Sequence, residues 1–348
     1  MFRACLRGLF RSSCRPGALA RCFSSSREKP FITIPIRPRS LGNRIMENQA
    51  PLSTAATRTS LVVGIATRGR SAILAETIAF LAKQERQPDK ILVAYAEQAD
   101  IGEAPARFPH VTFIQTALGL TRQRNAILGL ARDSDILLFL DDDFYPDPRY
   151  LQITERFFQE NPEVVASTGR VLADDMKGPG LTVEQALSIL AGDTGAQCEQ
   201  QISPRYFAYG CNMGLRMAPI REHKLRFDET LPLYGWYEDW DFSRQLARFG
   251  SVVHISNACG VHLSVKVGRM TGVRMGYAQI ANPIYLARKG TFPWPHVFRV
   301  IIGPCLKNLV WSVKPEAHVD RLGRFCGNLA AFRDLLTGTL SPMQITNL

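Results

Sequence analysis

The sequence predicts an α/β fold with a mostly parallel sheet flanked by helices. From residue 60 onwards, short apolar runs alternate with segments whose apolar residues recur every three or four positions, which indicates alternating strands and helices. The run at 136–140 is entirely apolar, as is typical of a strand buried on both faces of a parallel sheet, and three acids follow it directly. The fold is therefore predicted to be organised around residues 136–145.

In the first half of the chain, apolar runs and helical spacing define each element. The run 61–66 predicts the first strand, and the polar stretch 67–70 predicts a turn. The next helix is indicated by one apolar face, which consists of Ile73, Leu74, Ile78 and Leu81. The same reasoning predicts strands over 91–95 and 111–114, a helix over about 120–131, the central strand, and a helix over 148–160 with proline near its first turn.

The second half is less regular. A strand is predicted over 164–168, and Thr182 followed by Gln185 fits a capping box that opens a short helix. Strand and turn are expected within 208–217, and a final strand over 252–255. The stretch 238–249 predicts a helix that ends at Gly250, with three inward residues, Phe242, Leu246 and Phe249.

Charge and cysteine patterns exclude several function classes. Residues 1–45 hold ten of the 42 Lys and Arg residues and one acid, which leaves 32 basic and 30 acidic residues in the rest of the chain. This balance argues against a nucleic-acid partner for the body of the protein. The eight cysteines form no Cys-x-x-Cys pair, no run of 18 apolar residues exists, and no Walker-A or dinucleotide-binding glycine motif occurs.

The basic segment has two interpretations. Residues 21–26 resemble the end of a mitochondrial presequence, which is rich in Arg and Ser and poor in acids. The favoured alternative is an upstream or disordered segment that precedes a start at Met46. We therefore expect residues 1–59 to be a basic disordered segment with a linker. The expected location is cytoplasmic, peripheral at the cytoplasmic face of a membrane if the C-terminal segment contacts it. A mitochondrial location is the alternative if residues 1–45 are a transit peptide.

Asp141, Asp142 and Asp143 follow the central strand. Ligands of open α/β sheets bind at the carboxyl ends of strands, and adjacent carboxylates repel one another unless a cation compensates them. A hard divalent cation that also grips phosphate oxygens is the simplest compensation. The alternative interpretation is a polar turn that ends a core strand.

Five motifs in order resemble a family-2 glycosyltransferase with a GT-A fold, a Rossmann-like sheet flanked by helices. The resemblance covers about residues 60–292. It consists of the strand and loop 61–70, the stretch 119–125 with its Arg-Asn pair, the Asp-x-Asp motif at 139–143, the segments 227–229 and 237–242 with a Glu-Asp pair, and His262. Residues 293–348 would form a helical extension. Asn282 and Tyr285 add a likeness to rhamnosyltransferase-like members.

The resemblance implies a role for each matching residue. Mn²⁺ or Mg²⁺ would be held by Asp143, with Asp141 and His262, on the diphosphate of a nucleotide-sugar donor. Asp239 would be the general base of an inverting transfer to an acceptor hydroxyl, with Glu238 beside it. The donor would contact Thr67, Arg68, Arg70, Arg124, Asn125, Asp141 and Asp142, and the acceptor Trp236, Tyr237 and Asn212. The expected process is synthesis of cell-envelope polysaccharide or glycolipid, with a saccharide or lipid-linked acceptor.

Other interpretations stay open. Acids at 238 and 239 are favoured at a helix start without catalysis, and a lone histidine is more often a core residue. A nucleotidyltransferase that acts on a sugar phosphate would also bind a nucleotide and a metal. That reaction does not explain the Glu-Asp pair at 238 and 239. A sugar-binding protein of the same fold that lost turnover is the alternative that is not an enzyme. The apolar stretch 297–311 predicts an amphipathic helix that lies on a membrane surface or packs on the domain, and packing is slightly favoured.

Overall fold

The computed structural model describes residues 58–176, 178–193, 200–267, 270–314 and 316–348. The predictions for the basic segment, the presequence and most of the linker fall on residues 1–57, outside the described residues.

Strands are interspersed with helices up to residue 262, and helices follow. The strands are β1 Leu61–Ala66, β2 Lys90–Tyr95, β3 Thr112–Gln115, β4 Ile136–Asp141, β5 Phe144–Pro146, β6 Val164–Asp174, β7 Ile202–Pro204, β8 Asn212–Arg216 and β9 Ser251–His262. The α-helices are α1 Ser71–Leu81, α2 Ala104–Arg107, α3 Leu120–Leu130, α4 Tyr150–Glu160, α5 Val183–Gly192, α6 Met217–Glu222, α7 Glu238–Leu246, α8 Gly272–Lys289, α9 Trp294–Trp311 and α10 Arg321–Leu336.

The described strands form one sheet in the order β3-β2-β1-β4-β8-β6-β9-β5, with β7 beside β9. Strands β1 to β4, β6 and β9 run in the same direction, because β8 lies antiparallel between β4 and β6. Strands β5 and β7 pair antiparallel with β9. The predicted mixed α/β fold with a mostly parallel sheet is confirmed, although the sequence did not reveal the reversed strand.

The central strand is buried on both faces, as its composition requires. Leu138 and Leu140 of β4 pack in one core layer with residues of α1 and α4, whereas Leu137 and Phe139 pack in another with residues of α3, α6 and α7. Helices therefore cover both sides of the sheet. The carboxyl edge of the parallel strands is left for a site.

Local signals proved accurate in several places. Thr182 opens α5 with the predicted capping box, since its side chain accepts the Gln185 N–H and the Gln185 side chain accepts the Thr182 N–H. The prediction for 238–249 was wrong at its end. Helix α7 stops at Leu246, and Phe249 is exposed and stacks on His223 at 3.9 Å between ring centroids.

The last three long helices pack together. Buried residues of α8, α9 and α10 form one apolar cluster, with Tyr277, Ile301 and Ala331 among its members. Helix α8 had not been predicted, whereas α9 and α10 lie within the helical extension expected over residues 293–348. None of the described helices is both long and apolar enough to cross a membrane. The boundary expected at residues 292 and 293 stays a prediction.

Candidate active site

Three consecutive acids lie at the carboxyl end of β4. Asp141 is the last residue of that strand and pairs with Ala66, the last residue of β1. The backbone N–H of Asp141 donates to the carbonyl of Cys211 at 3.1 Å, next to the start of β8. Asp142 and Asp143 form the turn that leads into β5. Because of this turn, the Asp142 side chain contacts one set of partners and the side chains of Asp141 and Asp143 contact another.

Asp141, Asp143 and His262 form a group that can hold a metal ion. One ligand atom from each side chain lies within 4.8 Å of the other two. The Nε2 atom of His262 is 3.2 Å from Asp143 Oδ1 and 3.7 Å from Asp141 Oδ2. His262 reaches the acids because it ends β9 and pairs there with Phe144, directly after the acidic turn. The fold thus brings together the three residues that the sequence suggested as ligands.

Asp174 orients His262, and sequence reasoning missed it. The Nδ1 atom of His262 is 3.3 Å from Asp174 Oδ1, which also accepts a hydrogen bond from the Ser264 hydroxyl. The hydroxyl of Tyr209 donates to Asp174 Oδ2 at 3.0 Å. A carboxylate on the far nitrogen of a histidine fixes the ring and leaves Nε2 for a metal. Asp174 ends β6, so an acid at a strand end was the available signal.

The donor set fits a hard divalent cation. Asp143 is 1% exposed, and within the described residues its Oδ1 accepts no well-formed hydrogen bond. Burial raises the pKa of Asp143, but His262, Arg70 and the Val265 N–H together lower that pKa to about 2. Against burial, Asp143 and Asp174 raise the pKa of His262 to about 10. A buried, ionised carboxylate beside a second carboxylate and an imidazole suits Mn²⁺ or Mg²⁺.

Asp142 is used within the protein. Its Oδ2 accepts the Thr67 hydroxyl at 2.7 Å and its Oδ1 accepts Arg70 Nη1 at 2.8 Å. Arg70 also donates to the carbonyls of Val265 and Val267, and therefore joins the acidic turn to the segment after β9. Contacts of Thr67, Arg70 and Asp142 with the nucleotide sugar stay predictions, because the polar atoms of these residues already have partners within the protein.

Arg68 points to a different cluster. Its guanidinium donates to both oxygens of Asp100 at 3.2 Å and to Glu97 at 2.8 Å. Asp100 also accepts the backbone N–H groups of Gly69, Ala96 and Glu97. These bonds hold the loop after β1 against the loop after β2. A contact of Arg68 with the donor stays a prediction.

Arg124 and Asn125, the predicted Arg-Asn pair, bind different parts of the protein. Arg124 of α3 donates to Glu238 Oε1 at 2.7 Å and to the Gly210 carbonyl at 2.8 Å, and its Nη2 is 3.6 Å from Asp141 Oδ1. Asn125 instead donates to the Phe227 carbonyl and to Glu229, and accepts the Phe227 N–H. Arg124 is at the site, whereas the Asn125 amide is used to hold the segment 227–229.

A strained turn presents Glu238 and Asp239 at the start of α7. Three residues of this turn have positive φ, namely Leu233 at 56°, Gly235 at 63° and Tyr237 at 74°. For Leu and Tyr this left-handed backbone is costly and persists only where surrounding structure imposes it. Asp239 accepts the Gly210 N–H at 3.1 Å and the Trp240 N–H at 2.9 Å.

Burial shifts the titration of both acids. It raises the pKa of Asp239 to about 6, although Arg124 and the two N–H donors oppose that rise. It also raises the pKa of Glu238 well above its ordinary value, against the nearby Arg124. Within the described residues, Glu238 Oε2 is buried and has no hydrogen-bond donor. Asp239 thus has the pKa of a group that can accept a proton near neutral pH.

Two adjacent residues join the two acidic centres. The carbonyl of Cys211 accepts the Asp141 N–H, and the N–H of Gly210 donates to Asp239. The metal-capable group and the Glu-Asp pair therefore flank one short backbone segment. This proximity is the central geometric feature of the site.

The residues expected on the acceptor side differ in accessibility. Trp236 stacks on Tyr234 with ring centroids 6.0 Å apart, and Tyr237 packs on Phe292 at 5.2 Å. Asn212 is fully buried in β8, where its amide donates to the Gly169 carbonyl and accepts the Thr168 hydroxyl. Trp236 and Tyr237 adjoin Glu238, whereas Asn212 serves the sheet. Their contact with an acceptor stays a prediction.

Comparison with solved structures finds several of related shape. The chain is similar to TarS of S. aureus, with 14% identity over 80% of this chain and 92% of that one and a TM-score of 0.45. It is also similar to the mannosyltransferase PcManGT of Pyrobaculum calidifontis, solved in complex with GDP-Man and Mn²⁺, with 13% identity over 86% and 89% of the two chains and a TM-score of 0.49. No curated protein matches the sequence.

A comparison with protein families finds one family that matches part of the sequence. The family described as glycosyl transferase family 2 matches residues 62–223, which run from β1 past the acidic turn to the end of α6. The matched region contains Asp141, Asp143 and Arg124. The predicted resemblance to family-2 glycosyltransferases is therefore confirmed over residues 62–223.

Proposed function

We propose that this chain transfers a sugar from a nucleoside-diphosphate sugar to an acceptor hydroxyl with inversion at the anomeric carbon. The observation that carries the proposal is the proximity of Asp239 to the group formed by Asp141, Asp143 and His262, across the segment of Gly210 and Cys211. A transferase of this kind needs a cation site for the diphosphate and a base for the acceptor. The residues proposed for these two tasks flank that segment.

Asp141, Asp143 and His262 would hold the cation. When bound, Mn²⁺ or Mg²⁺ would neutralise the charge that develops on the leaving diphosphate. Asp174 keeps the His262 ring in place, 3.3 Å from its Nδ1. The residues thus provide two carboxylates and an oriented imidazole before any ligand arrives.

Asp239 would act as the general base. Its N–H donors fix the carboxylate, and its pKa of about 6 leaves it mostly ionised at neutral pH but able to take a proton. The base would remove the proton of the acceptor hydroxyl as that oxygen bonds to the anomeric carbon and the bond to the diphosphate breaks. Attack opposite to the leaving group gives inversion. Glu238 and Arg124 would hold the turn that carries Asp239.

The transferred group is proposed to be a hexose and the acceptor a saccharide or a lipid-linked saccharide. A role in cell-envelope polysaccharide or glycolipid synthesis rests on the resemblance and stays a prediction. A cytoplasmic location likewise stays a prediction.

The test is a donor screen with the full chain. UDP-, GDP- and dTDP-hexoses are incubated with Mn²⁺, and release of the nucleoside diphosphate and the anomeric configuration of any product are measured. We expect release with one donor class, lost on addition of a chelator and in Asp239→Asn. Pyrophosphate release from a nucleoside triphosphate and a sugar phosphate would instead identify a nucleotidyltransferase. Binding of a donor with no release under any condition would identify a protein that binds sugar without turnover.

A further inference from the structure

Helix α9 shows large apolar side chains to the outside. Trp294, Phe298, Ile302, Leu306 and Val310 recur every four residues and form one stripe along the helix, here called the α9 apolar face. Each of these side chains is between 47% and 67% exposed, with Phe298 at 61% and Val310 at 67%. A helix at the surface of a globular domain normally turns polar residues outward. The α9 apolar face thus needs a covering partner.

The other side of α9 is fixed to the protein by a buried polar network. Asn308 is fully buried and donates to Gln279 of α8 at 3.0 Å and to Asn328 of α10 at 2.9 Å. The side-chain amide oxygen of Asn308 accepts a hydrogen bond from Arg321 Nη1 at 3.0 Å. Rotating α9 to hide its apolar face would leave these polar groups buried without partners, which is expensive. The outward orientation of the apolar face is therefore built into the helix packing.

The charges on this segment have one sign. Residues 294–314 include Arg299, Lys307 and Lys314 and no Asp or Glu. Lys307 pairs with Glu316 at 3.1 Å, whereas Arg299 and Lys314 have no ion pair within the part of the chain that the structure describes. Arg299 and Lys314 are exposed. An apolar stripe flanked by unpaired cations complements a surface that is apolar below and anionic above.

Tryptophans occupy both ends of the helix. Trp294 is 47% exposed and Trp311 is 44% exposed, and Lys307 Nζ lies 5.9 Å from the centre of the Trp311 ring. Tryptophan side chains favour the boundary between lipid headgroups and acyl chains. Helix α10 adds exposed leucines at a spacing of seven, Leu322, Leu329 and Leu336.

We propose that the α9 apolar face docks on the surface of a membrane that contains anionic phospholipid. The helix lies in the plane of the interface, with its aromatic and aliphatic side chains among the upper acyl chains and its cations at the phosphates. A second copy of the chain fits less well. Two α9 faces placed against each other would bring Arg299 and Lys314 of both copies together, with no acid between residues 294 and 314 to meet them.

The experiment is vesicle flotation with the full chain and a triple variant. The variant is Phe298→Gln, Ile302→Gln, Leu306→Gln, which keeps helix propensity at exposed positions. Vesicles contain phosphatidylcholine with about one third phosphatidylglycerol, or phosphatidylcholine alone. We expect the wild type to float with the anionic vesicles and the variant to bind about tenfold or more weakly. Arg299→Gln with Lys314→Gln should weaken binding to the anionic vesicles only.

The matched control has three exposed leucines changed elsewhere, Leu118→Gln, Leu130→Gln and Leu187→Gln. It should float like the wild type. Melting temperatures of all variants check that the fold is intact. Wild-type protein that does not float, or a triple variant that floats as well as the wild type through its basic residues 1–45, would overturn the proposal. So would a wild-type dimer in sedimentation equilibrium that the triple variant dissociates, because the second copy would then be the occupant.

Discussion

At the scale of single residues, the site depends on carboxylates whose environments differ. Asp143 is kept ionised with a pKa of about 2, whereas burial raises the pKa of Asp239 to about 6. Two acids with separated pKa values are suited to separate tasks, one to bind a cation and one to exchange a proton. Each task can be tested with one substitution.

Replacing Asp239 by asparagine separates catalysis from folding. Asparagine keeps the size of the side chain and one N–H···O bond, but it cannot take up the acceptor proton. We expect single-turnover transfer to fall by about 10² to 10⁴-fold while donor affinity stays near that of the wild type. Asp133→Asn, at an exposed aspartate, is the control. Transfer by Asp239→Asn within a factor of about three of the wild type would exclude Asp239 as the base.

The pH dependence of transfer should report the same residue. Because the pKa of Asp239 is raised from 3.8 to about 6, its active ionised form is lost as the pH falls through about 6. For the same reason, ionising Asp239 costs stability as the pH rises from about 4 to about 6. The measurement is the transfer rate at saturating donor from pH 5 to pH 8, with circular dichroism at each pH. A rate that stays constant down to about pH 5 would contradict the assignment.

Removing the Asp143 carboxylate should uncouple nucleotide from metal. The cation and the diphosphate compensate each other, so loss of one ligand weakens both. We expect UDP or GDP, whichever the wild type prefers, to bind Asp143→Ala about tenfold or more weakly with Mn²⁺, at an affinity that a chelator no longer changes. Calorimetry measures both affinities, with Asp133→Ala as the control. Tight, metal-dependent binding by Asp143→Ala would show that the cation is held elsewhere.

At the scale of elements, long-range ion pairs tie α8 to α7, the helix that contains Asp239, and to the segment before it. Lys289 at the end of α8 donates to Asp228 at 2.6 Å and to the fully buried Asp241 of α7 at 2.7 Å. Tyr285 donates to Asp228 as well, at 2.8 Å. The segment 227–229, expected from the resemblance to serve the acceptor side, is thus anchored by α8. Asp228 therefore has a structural role, because it accepts hydrogen bonds from Tyr285 and Lys289.

We expect Lys289→Met to destabilise the protein by about 1–3 kcal/mol, because it leaves the buried Asp241 without its cation. The side chain of Lys289 is 28% exposed, which keeps the effect below that of a fully buried pair. The neighbouring Arg288→Met, at an exposed arginine, should change stability by less than about 0.5 kcal/mol. Urea unfolding of both variants gives the comparison. Equal midpoints would mean that water replaces Lys289 at Asp241.

At the scale of the whole molecule, most of the net positive charge lies outside the described residues. Residues 1–45 hold ten basic residues and one acid, and their composition cannot bury a core. We expect a chain that starts at Met46 to have the same melting temperature as the full chain, within about 2 °C, and the same transfer rate. An insoluble or inactive product, under conditions in which the full chain is active, would contradict this expectation.

Much of the fold was predictable because its signals are local. The bounds of β1 and of α3, the capping box at Thr182 and the acids at the end of β4 follow from composition and spacing within a few residues. The failures have physical reasons. Phe249 fits the helical period of α7, but the helix ends earlier and the ring stacks on His223, a partner that spacing does not reveal.

Composition and spacing alone predict the α/β class, the central buried strand and the residue types that can hold a cation and accept a proton. The partners of each acid, in contrast, depend on how the chain folds. The three aspartates after β4 cannot be told apart in sequence. In the folded turn, Asp142 accepts hydrogen bonds from Thr67 and Arg70, whereas Asp141 and Asp143 lie next to His262. The reversed direction of β8 and the outward apolar face of α9 were decided in the same way. In each case the partner lies far away in the chain, and packing selects it.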